Sequence, residues 1–370
     1  MSVTVRPVLA TSENEHLFRK MLRDNPVGGD ILVSMEREPD ALHAAGITGD
    51  RHDLLMGVRD DDGDVVVIGG RYELDLFING EPQRTGYLGE LRSAGGFGFR
   101  RKYLLMCYRE MRRCHESGDV PFYLTTIIAD NAPARRLLEA NLKGMPVYEP
   151  RGNIVTVTIP ARAGARARSR LAVESGRKED LGALAAALLE RGRDYQFMPA
   201  WSHDVLRSPT RCRGLSADDF LLIRADGGLR ASLALWDQRG FKQSIIRGYA
   251  GPLARWRPLY NVVAPALRRP ALPPAGSRLE SAYLSHINVD PDDAEGITAL
   301  VASACRAAVA RGLDYVMLGL AEAHPLYETI RAKFTTHDYV SVAYVVYWED
   351  GEQAATAIDG RLLHPEVAIL

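Results

Sequence analysis

The feature that most constrains this chain is an internal repeat of a large unit. Residues 283–289 (Tyr-Leu-Ser-His-Ile-Asn-Val) align without a gap with residues 87–93 (Tyr-Leu-Gly-Glu-Leu-Arg-Ser). After each of these predicted strands the pattern predicts a helix, an apolar strand and a short helix at nearly the same spacing. Repetition of so long a unit predicts two copies of one fold in tandem. With 370 residues, 46% of them apolar, the chain is long enough to bury two cores.

The boundary between the copies is predicted from composition. Residues 161–170 are rich in arginine and poor in bulky apolar side chains, so we predict a linker there. The first copy then covers residues 1–160 and the second covers residues 171–370. At the end of the first copy, residues 146–148 and 153–159 are expected to form a hairpin.

A glycine-rich turn follows the first-copy strand. Gly95, Gly96 and Gly98 lead into a helix that begins with Arg-Arg-Lys at residues 100–102. Such a turn lets backbone N–H groups and a helix N-terminus approach a phosphate, and the cations add to the attraction. Three glycines after a strand also occur in flexible loops that bind nothing, and that alternative stays open.

The order strand, glycine turn, long helix, strand and a short helix that begins Asn131-Ala132-Pro133-Ala134 resembles the second half of a GNAT-superfamily acyltransferase. The resemblance implies an α/β or α+β chain of two tandem GNAT-like domains, each a mixed, mostly antiparallel twisted sheet flanked by helices. In this family the glycine turn binds the pyrophosphate of acyl-coenzyme A, and the thioester lies where two strands splay apart. The resemblance therefore implies acetyl-CoA or another acyl-CoA as co-substrate and no metal. The cofactor-binding residues that it implies are Leu91, Arg92, Ser93, Gly95, Gly96, Phe97, Gly98, Phe99, Arg100, Arg101, Lys102 and Asn131.

The glycine turn departs from the family pattern. In the register set by the following helix, Phe99 and Arg101 stand where the family has glycines, and the alternative register from Arg92 matches Gly95 alone. The turn is therefore altered, binds coenzyme A loosely, or binds something else. In the second copy residues 290–296 are Asp-Pro-Asp-Asp-Ala-Glu-Gly, which would repel a pyrophosphate and suit a helix cap. If coenzyme A binds, we expect it on the first copy.

Glu90 is the predicted general base. Strict strand alternation puts its side chain on the same face as Leu88 and Arg92 and opposite Leu91, so that it can face the cleft beside Arg92. A charged pair on the solvent side of a half-buried strand is an equally good interpretation. His286 occupies the matching position in the second copy and ranks below Glu90, because no phosphate turn lies beside it.

The acid that protonates the leaving thiolate is, by the resemblance, a tyrosine on the short helix. The first copy has Leu138 at that position and the second has Tyr327, which is the predicted acid. Three explanations stay open: Tyr327 packs in the core, water or Tyr108 serves the thiolate, or one cleft uses residues of both copies.

Two polar segments are candidates for the acceptor side of the site. Glu36 and Arg37 lie where this superfamily places its acceptor-binding helix and loop, with exposed charge as the alternative. Residues 236–238 and 241–243 flank a predicted turn and offer aromatic and amide groups, although aromatic residues at strand ends usually pack in the core.

Composition argues against several function classes. A net charge of −1, with both signs mixed along the chain, argues against a nucleic-acid partner. We find no signal peptide and no segment long enough to span a membrane, so we predict no membrane partner. The four cysteines lack metal-ligand spacing, which indicates free thiols in a reducing compartment, and we therefore predict a cytoplasmic protein.

The sequence thus predicts an acyl-CoA-dependent N-acyltransferase, in the simplest case an N-acetyltransferase, that acts on a small-molecule or peptide amine with Glu90 as base. One alternative is a non-catalytic binding or scaffold protein of the same fold, favoured by Leu138 and the altered turn. Another is similar to the tandem GNAT-fold transferases that take an aminoacyl group from transfer RNA, although the chain shows no strongly basic channel. The acceptor, the acyl chain length and a homodimer are left open.

Overall fold

The structure, a computed structural model, describes residues 4–94, 101–264 and 271–370. The strands are β1 Val5–Leu9, β2 Ile31–Glu36, β3 Arg51–Arg59, β4 Val65–Ile78, β5 Glu81–Ser93, β6 Tyr123–Ile128, β7 Val147–Pro160, β8 Glu174–Ser175, β9 Tyr195–Gln196, β10 Phe220–Ala225, β11 Gly228–Trp236, β12 Gln243–Tyr249, β13 Ser281–Asn288, β14 Tyr315–Ala321, β15 His337–Tyr347 and β16 Leu362–Leu363. The helices are α1 Glu15–Asp24, α2 Ala41–Thr48, α3 Arg101–Glu116, α4 Ala132–Leu138, α5 Ala161–Gly164, α6 Leu181–Gly192, α7 His203–Arg207, α8 Gly251–Val263, α9 Ala294–Ala310, α10 Pro325–Lys333 and α11 Glu352–Thr356.

The order of elements confirms the tandem repeat. The first copy runs through β5, α3, β6, α4 and β7, and the second runs through β13, α9, β14, α10 and β15. Asn79 (φ 54°) and Gly80 (φ 86°) join β4 to β5, and Asp226 (φ 51°) and Gly227 (φ 78°) join β10 to β11. Two consecutive positive φ values are what Asn-Gly and Asp-Gly turns favour, so the local sequence places both hairpins.

The two copies share a single twelve-stranded sheet. Its order is β1-β3-β4-β5-β6-β15-β7-β14-β13-β11-β10-β8. The last strand of each copy lies beside the other copy, because β15 pairs antiparallel with β6 and β7, and β7 pairs antiparallel with β14. The copies therefore stabilise each other through backbone hydrogen bonds. The division of the sequence at residues 161–170 stays a prediction.

The hairpin predicted at the end of the first copy is wrong. Residues Val147–Pro160 form one strand, β7, which pairs with β15 from Val147 to Thr158. Gly152 (φ 150°) lies at an irregularity, where Ala343 pairs with Gly152 and the next residue, Tyr344, pairs with Pro150. The turn-like sequence around Gly152 is absorbed as a bulge, because the residues before and after it both pair with β15.

The core lies on both faces of the sheet. Along β3, Leu54 and Met56 point to one face and Leu55 to the other, as strand alternation requires. The first face packs against α1, α2 and α6 in a cluster that extends through both copies, and we call it the α6 face. The opposite face is covered by α3 in the first copy and by α9 in the second, and we call it the α9 face.

A separate two-stranded ribbon links the copies. It is formed by β2 of the first copy and β12 of the second, paired antiparallel with Glu36 opposite Gln243. Arg37 directly follows β2, and Lys242 directly precedes β12. Antiparallel pairing therefore brings these two cations to the same end of the ribbon.

The segment predicted as a linker begins with packed structure. Its first residues form α5, in which Ala161 is fully buried. A Cβ placed on Gly164 would lie 2.5 Å from Sγ of Cys305 on α9. The scarcity of bulky apolar residues at the start of this segment therefore reflects close packing of α5 on α9.

Candidate active site

Each copy carries a β-bulge at the position where the repeat aligns Glu90 with His286. In β5, Glu90 and Leu91 lie opposite a single residue of β4, and in β13, His286 and Ile287 lie opposite a single residue of β11. Glu90 and His286 have φ values of 57° and 52°. Left-handed backbone is uncommon for residues other than glycine and, where it persists, directs attention to a functional site. We call these features the Glu90 bulge and the His286 bulge.

β5 and β6 separate beside the Glu90 bulge. The two strands pair in parallel at Gly86 and Tyr87 of β5. Just beyond, Thr125 Oγ1 donates a 2.6 Å hydrogen bond to the carbonyl oxygen of Leu88, and β6 continues along β15 on its other side. The opening between β5 and β6, which we call the Glu90 cleft, therefore begins at the bulge.

Both carboxylate oxygens of Glu90 have partners. Oε1 lies 2.8 Å from Nη2 of Arg37, and Oε2 accepts a 2.7 Å hydrogen bond from the hydroxyl of Tyr72. Burial, followed by the negative charge of Glu90, raises the pKa of Tyr72 well above its usual value, so this hydroxyl keeps its proton. Glu90 can accept a proton from an amine when one of these two contacts gives way.

The face on which Glu90 lies corrects the sequence prediction. Leu88 packs with α3 on the α9 face, whereas Glu90 reaches Tyr72 on the α6 face. Strict alternation put Glu90 and Leu88 together, but the bulge inserts one residue and reverses the phase of the strand. Leu91 packs against the α3 cluster, opposite Glu90 as predicted.

Two titratable side chains, the half-buried Lys242 and the buried Glu366, lie near the Arg37–Glu90 pair. Nζ of Lys242 donates to the backbone oxygens of Ala368 and Leu370 at 3.1 and 2.7 Å. Burial, followed by the charge of Arg37, lowers the pKa of Lys242 to about 7. Burial raises the pKa of Glu366 to about 7, although backbone hydrogen bonds and the charge of Lys242 oppose that shift.

Arg92 contributes a further cation to the cleft. Its Nη1 donates to the carbonyl oxygen of Leu91 at 2.9 Å. Burial lowers the pKa of Arg92, with the charge of Glu90 opposing the shift and that of Arg37 adding to it. Among the residues that the structure describes, no carboxylate forms an ion pair with Arg92 within 4.0 Å.

The cleft of the second copy is filled by the chain itself. Residues 364–370, which include a short 3-10 helix at Val367–Ile369, lie against β13 and β14, and we call them the plug segment. The carboxylate of Glu366 accepts the backbone N–H of His286 at 2.8 Å. A Cβ on Gly319 of β14 would lie 2.1 Å from Cγ1 of Val367. The plug segment thus occupies the place that corresponds to the Glu90 cleft.

His286 is enclosed within the protein. Its Nδ1 lies 2.9 Å from Oγ of Ser285, its Nε2 lies 3.9 Å from Sγ of Cys212, and its ring centre lies 4.0 Å from that of Trp201. Burial lowers its pKa to about 3, so the ring is neutral. This environment agrees with the lower rank of His286 as a base.

The structure does not bring Tyr327, the predicted acid, to Glu90. Tyr327 packs with α9 on the α9 face, whereas Glu90 reaches the α6 face. Its hydroxyl donates a 2.8 Å hydrogen bond to Asp338, and Arg331 lies 5.4 Å from the ring centre. Burial, followed by the hydrogen bond to Asp338, raises its pKa to about 12. These contacts fit the explanation in which Tyr327 packs in the core.

Most of the predicted phosphate turn lies outside the described residues. The flanking residues are Ser93, which ends β5, and Arg101, which begins α3. The first turn of α3 contains no acidic residue, and Lys102 is exposed, with Nζ 4.7 Å from the ring centre of Tyr103. The start of α3 is therefore suited to an anion. The predicted residues that the structure does not describe are Gly95, Gly96, Phe97, Gly98, Phe99 and Arg100.

Three other residues of the prediction have contacts within the protein. Oδ1 of Asn131 accepts the N–H of Ala134 at 3.2 Å, so Asn131 caps α4 as its sequence predicts. Leu138 is buried in the α3 cluster. Tyr108 shares a short hydrogen bond with Tyr148, and burial raises its pKa well above the usual value. Tyr108 is therefore badly placed to protonate a thiolate.

The residues of the two predicted acceptor segments lie in different environments in the structure. Glu36 is buried, accepts a 2.5 Å hydrogen bond from Ser34 and is paired with Arg247. Trp236 is fully buried, and its Nε1 donates to the carbonyl oxygen of Arg213 at 2.7 Å. Arg37 and Lys242, by contrast, lie beside Glu90.

Sequence reasoning missed Tyr72 and Glu366. The signal for Tyr72 was the Asn79-Gly80 turn, because a two-residue loop fixes the register of β4 on β5 and places Tyr72 opposite Tyr87. Glu366 gave no such signal, since it follows no motif and reaches the His286 bulge from a position 80 residues further along the chain.

Two further kinds of feature are absent from the described part of the chain. No group of three or more histidine, cysteine, aspartate or glutamate side chains is placed to hold a metal ion there. Within the same residues, no helix is both long enough and apolar enough to cross a membrane.

Solved structures with a similar fold exist at low sequence identity. One Saccharomyces cerevisiae N-myristoyltransferase structure with bound myristoyl-CoA matches with a TM-score of 0.58 and 11% identity, over 94% of this chain and 79% of that one. A second such structure matches with a TM-score of 0.57 and 9% identity, over 94% of this chain and 84% of that one. A GCN5-related N-acetyltransferase from Anabaena variabilis matches with a TM-score of 0.50 and 10% identity, over 92% of this chain and 72% of that one. No protein-family model and no curated protein matches this chain.

These likenesses concern the fold. Each covers at least 92% of this chain, so both copies take part in the match. In both copies a bulged strand pairs briefly in parallel with the strand that follows the long helix. The chain therefore has the GNAT fold, in two tandem copies that share one sheet.

Proposed function

We propose that this chain is an acyl-CoA-dependent N-acyltransferase whose reaction takes place in the Glu90 cleft. The observation that carries the proposal is the Glu90 bulge, where left-handed backbone presents a carboxylate at the point where β5 leaves β6. Such backbone persists where the surrounding structure holds it and clusters at ligand sites. The second copy keeps the bulge but fills its cleft with the plug segment, so the first copy is the proposed site.

The proposed acyl donor is acetyl-CoA. A small cavity lies beside Tyr87 and Leu124, where β5 and β6 pair, and Leu74, Leu76 and Phe197 contribute apolar walls. The plug residues Glu366, Ile369 and Leu370 line the same cavity and leave little room in it. This favours a short acyl group over a long chain such as the myristoyl group of the similar N-myristoyltransferase structures.

The first copy also offers the proposed position for coenzyme A. The start of α3 and the preceding glycine turn would bind the pyrophosphate, with Arg100, Arg101 and Lys102 as the cations. The backbone edge at residues 91–93 would orient the pantetheine arm and the thioester. When bound, acyl-CoA supplies an acyl group activated by a thiolate leaving group.

The residues of the cleft fit direct transfer. The acceptor amine forms a bond to the acyl carbon while the carbon–sulfur bond breaks, and the proton lost by the amine passes to Glu90. Arg37 orients the carboxylate, and Tyr72, which keeps its proton, holds the second oxygen. The thiolate takes a proton from solvent, because a thiol pKa of about 8.5 makes it a fair leaving group near neutrality.

A non-catalytic ligand-binding protein of the same fold is the second candidate. It is favoured by the partners that occupy both oxygens of Glu90 and by the aliphatic Leu138 at the family's tyrosine position. A protein of this kind would bind coenzyme A without transferring its acyl group.

Calorimetric titration of acetyl-CoA and coenzyme A into the full chain tests the donor site. The double variant Arg100→Ala, Arg101→Ala is expected to bind both compounds at least about tenfold more weakly, because charge-assisted hydrogen bonds to phosphate are lost. The matched control is Arg109→Ala, Arg113→Ala, which removes two exposed cations further along α3 and is expected to bind as the wild type does. If neither compound binds the wild type, the acyltransferase proposal is wrong.

Glu90→Gln separates binding from chemistry. The amide keeps the shape of the side chain but cannot take a proton, so acetyl-CoA affinity is expected to stay within about twofold while transfer falls about a hundredfold. Thiol release from acetyl-CoA, measured with a panel of amines, gives the rate. Tight binding of acetyl-CoA without transfer to any amine would favour the second candidate.

A further inference from the structure

Two guanidinium groups lie in the Glu90 cleft, and Glu90 pairs with only one of them. Arg37 and Arg92 supply the guanidinium groups, and Glu90 forms its ion pair with Arg37. A second guanidinium without a counter-ion is costly in a partly buried place.

The unpaired charge is that of Arg92. Arg37 lies 2.8 Å from Glu90, whereas Arg92 donates to the backbone oxygen of Leu91. In the part of the chain that the structure describes, no carboxylate oxygen lies within 4.0 Å of the Arg92 guanidinium. The segments outside that part, residues 1–3, 95–100 and 265–270, contain neither aspartate nor glutamate. No acidic side chain of this protein therefore pairs with Arg92.

Arg92 is placed to meet a ligand. It follows Glu90 by two residues, beyond the bulge, so the two side chains share a face. Burial raises the pKa of Tyr339 on β15, and a hydrogen bond with Ser341 and the charge of Arg92 oppose that shift. Tyr339 is 39% exposed, so this side of the cleft reaches solvent.

The chemistry of this arrangement favours one class of ligand. A guanidinium binds a carboxylate through two parallel hydrogen bonds, a geometry that an ammonium group does not offer. Alternate residues of a strand are about 7 Å apart. An amine beside Glu90 and a carboxylate beside Arg92 therefore fit within one small molecule.

We propose that Arg92, with Arg37 beside it, binds a carboxylate carried by the acceptor, so that the acceptor is an amino acid or a similar amino carboxylate. The acceptor class rests on the proposed function, whereas the carboxylate site is a property of the cleft alone. A carboxylate on the acyl group, as in succinyl-CoA, or a phosphate of coenzyme A would supply an anion as well, and the experiment separates these sources.

The first arm measures carboxylate binding without coenzyme A. Two pairs of compounds that differ by one carboxylate are titrated into the full chain: N-acetyl-L-phenylalanine with N-acetyl-2-phenylethylamine, and N-acetylglycine with N-methylacetamide. In each pair the carboxylate is expected to bind at least about tenfold more tightly. Arg92→Gln is expected to abolish that difference. The control Arg306→Gln, on α9 and hydrogen-bonded to Ser303, is expected to keep it.

Three results of this arm overturn the proposal. They are equal affinity within both pairs, a difference that survives in Arg92→Gln, and no binding of either carboxylate to the wild type. Arg92→Lys gives an intermediate test, because it keeps the charge but loses the planar pair of donors, and it is expected to recover part of the difference.

The second arm identifies the source of the anion. Acetyl-CoA is expected to bind Arg92→Gln as it binds the wild type, and a tenfold loss would instead assign Arg92 to a phosphate and overturn the proposal. A preference for succinyl-CoA over acetyl-CoA that disappears in Arg92→Gln would assign the carboxylate to the acyl group and also overturn it. Failure of the proposed function is a different result, in which the wild type binds no acetyl-CoA while the carboxylate difference persists.

Discussion

Gly319 on β14 is the point where the plug segment approaches the sheet most closely. A Cβ on this residue would lie 2.1 Å from Cγ1 and 2.7 Å from Cγ2 of Val367. Carbon atoms do not approach to such distances, so Gly319→Ala has to displace the plug segment or shift the strand. We expect the plug segment to move, and with it the contacts of Lys242 and Glu366.

The size of the effect follows from packing. Forcing one extra methyl group into a filled site costs about 1–3 kcal/mol, and replacing glycine by alanine within a strand recovers up to about 1 kcal/mol of backbone entropy. A net loss of about 1–2 kcal/mol in the free energy of unfolding is expected. Val367→Ala removes the two closest methyls but keeps Cβ, which would lie 2.9 Å from the new Cβ, so the double variant should regain only part of the loss caused by Gly319→Ala. The two substitutions are therefore expected to couple by about 1 kcal/mol.

Urea unfolding followed by tryptophan fluorescence measures this cycle. Gly69→Ala is the matched control, since it lies in a buried strand position where a new Cβ would meet Cδ1 of Leu91 at an ordinary contact distance of 3.9 Å. We expect the control to change stability by less than about 0.5 kcal/mol. Hydrogen exchange gives a local readout, because the amide of His286 is bonded to Glu366 and should exchange faster in Gly319→Ala.

Additive effects of Gly319→Ala and Val367→Ala would refute this reasoning, as would a Gly319→Ala variant that matches its control. Either result would mean that Val367 does not pack against β14, and the plug segment would then not fill the second cleft.

Three further outcomes are expected from urea unfolding. Arg71→Met, which removes the closest partner of the buried carboxylate of Glu73, should lose about 3–5 kcal/mol, whereas Arg6→Met at an exposed ion pair should lose less than about 1 kcal/mol; similar losses would contradict the assigned burial. Burial raises the pKa of Glu366 from 4.5 to about 7, so the folded chain keeps a proton that the unfolded chain has lost, and stability should fall as pH rises from 4.5 to 7. Glu366→Gln should remove that fall, and an unchanged profile would contradict it. Tyr72→Phe should cost about 1–3 kcal/mol through the lost hydrogen bond to a carboxylate, and a neutral result would mean that this bond is not formed.

Local sequence was sufficient for the repeat and for its turns and caps. The Asn79-Gly80 turn, the Asn131 cap and the alignment of residues 87–93 with residues 283–289 all hold in the structure. Each depends on neighbours along the chain, such as the tolerance of Asn-Gly for positive φ or the reach of an asparagine side chain to a nearby N–H.

Sequence reasoning failed where the partner of a segment comes from elsewhere. Residues 147–160 were expected to fold back at Gly152, but the strand stays extended because β15 of the other copy pairs with it on both sides of Gly152 and β14 pairs with it from Ile154 onward. Glu90 was expected beside Leu88, but a bulge against β4 turned it to the other face. Neither partner is visible in the sequence of the segment itself.

For the candidate site, too, some features follow from local sequence and others only from the tertiary structure. The sequence by itself determined the repeat, and through it the position of Glu90 and Arg92 on the central strand of the first copy. The tertiary structure alone decided that Arg37 and Tyr72 hold Glu90, that Arg92 is left without a carboxylate, and that the plug segment fills the second cleft. The physical reason is that a turn or a cap is formed by adjacent residues, whereas the pairing of charges depends on strand order, which backbone hydrogen bonds between distant segments establish.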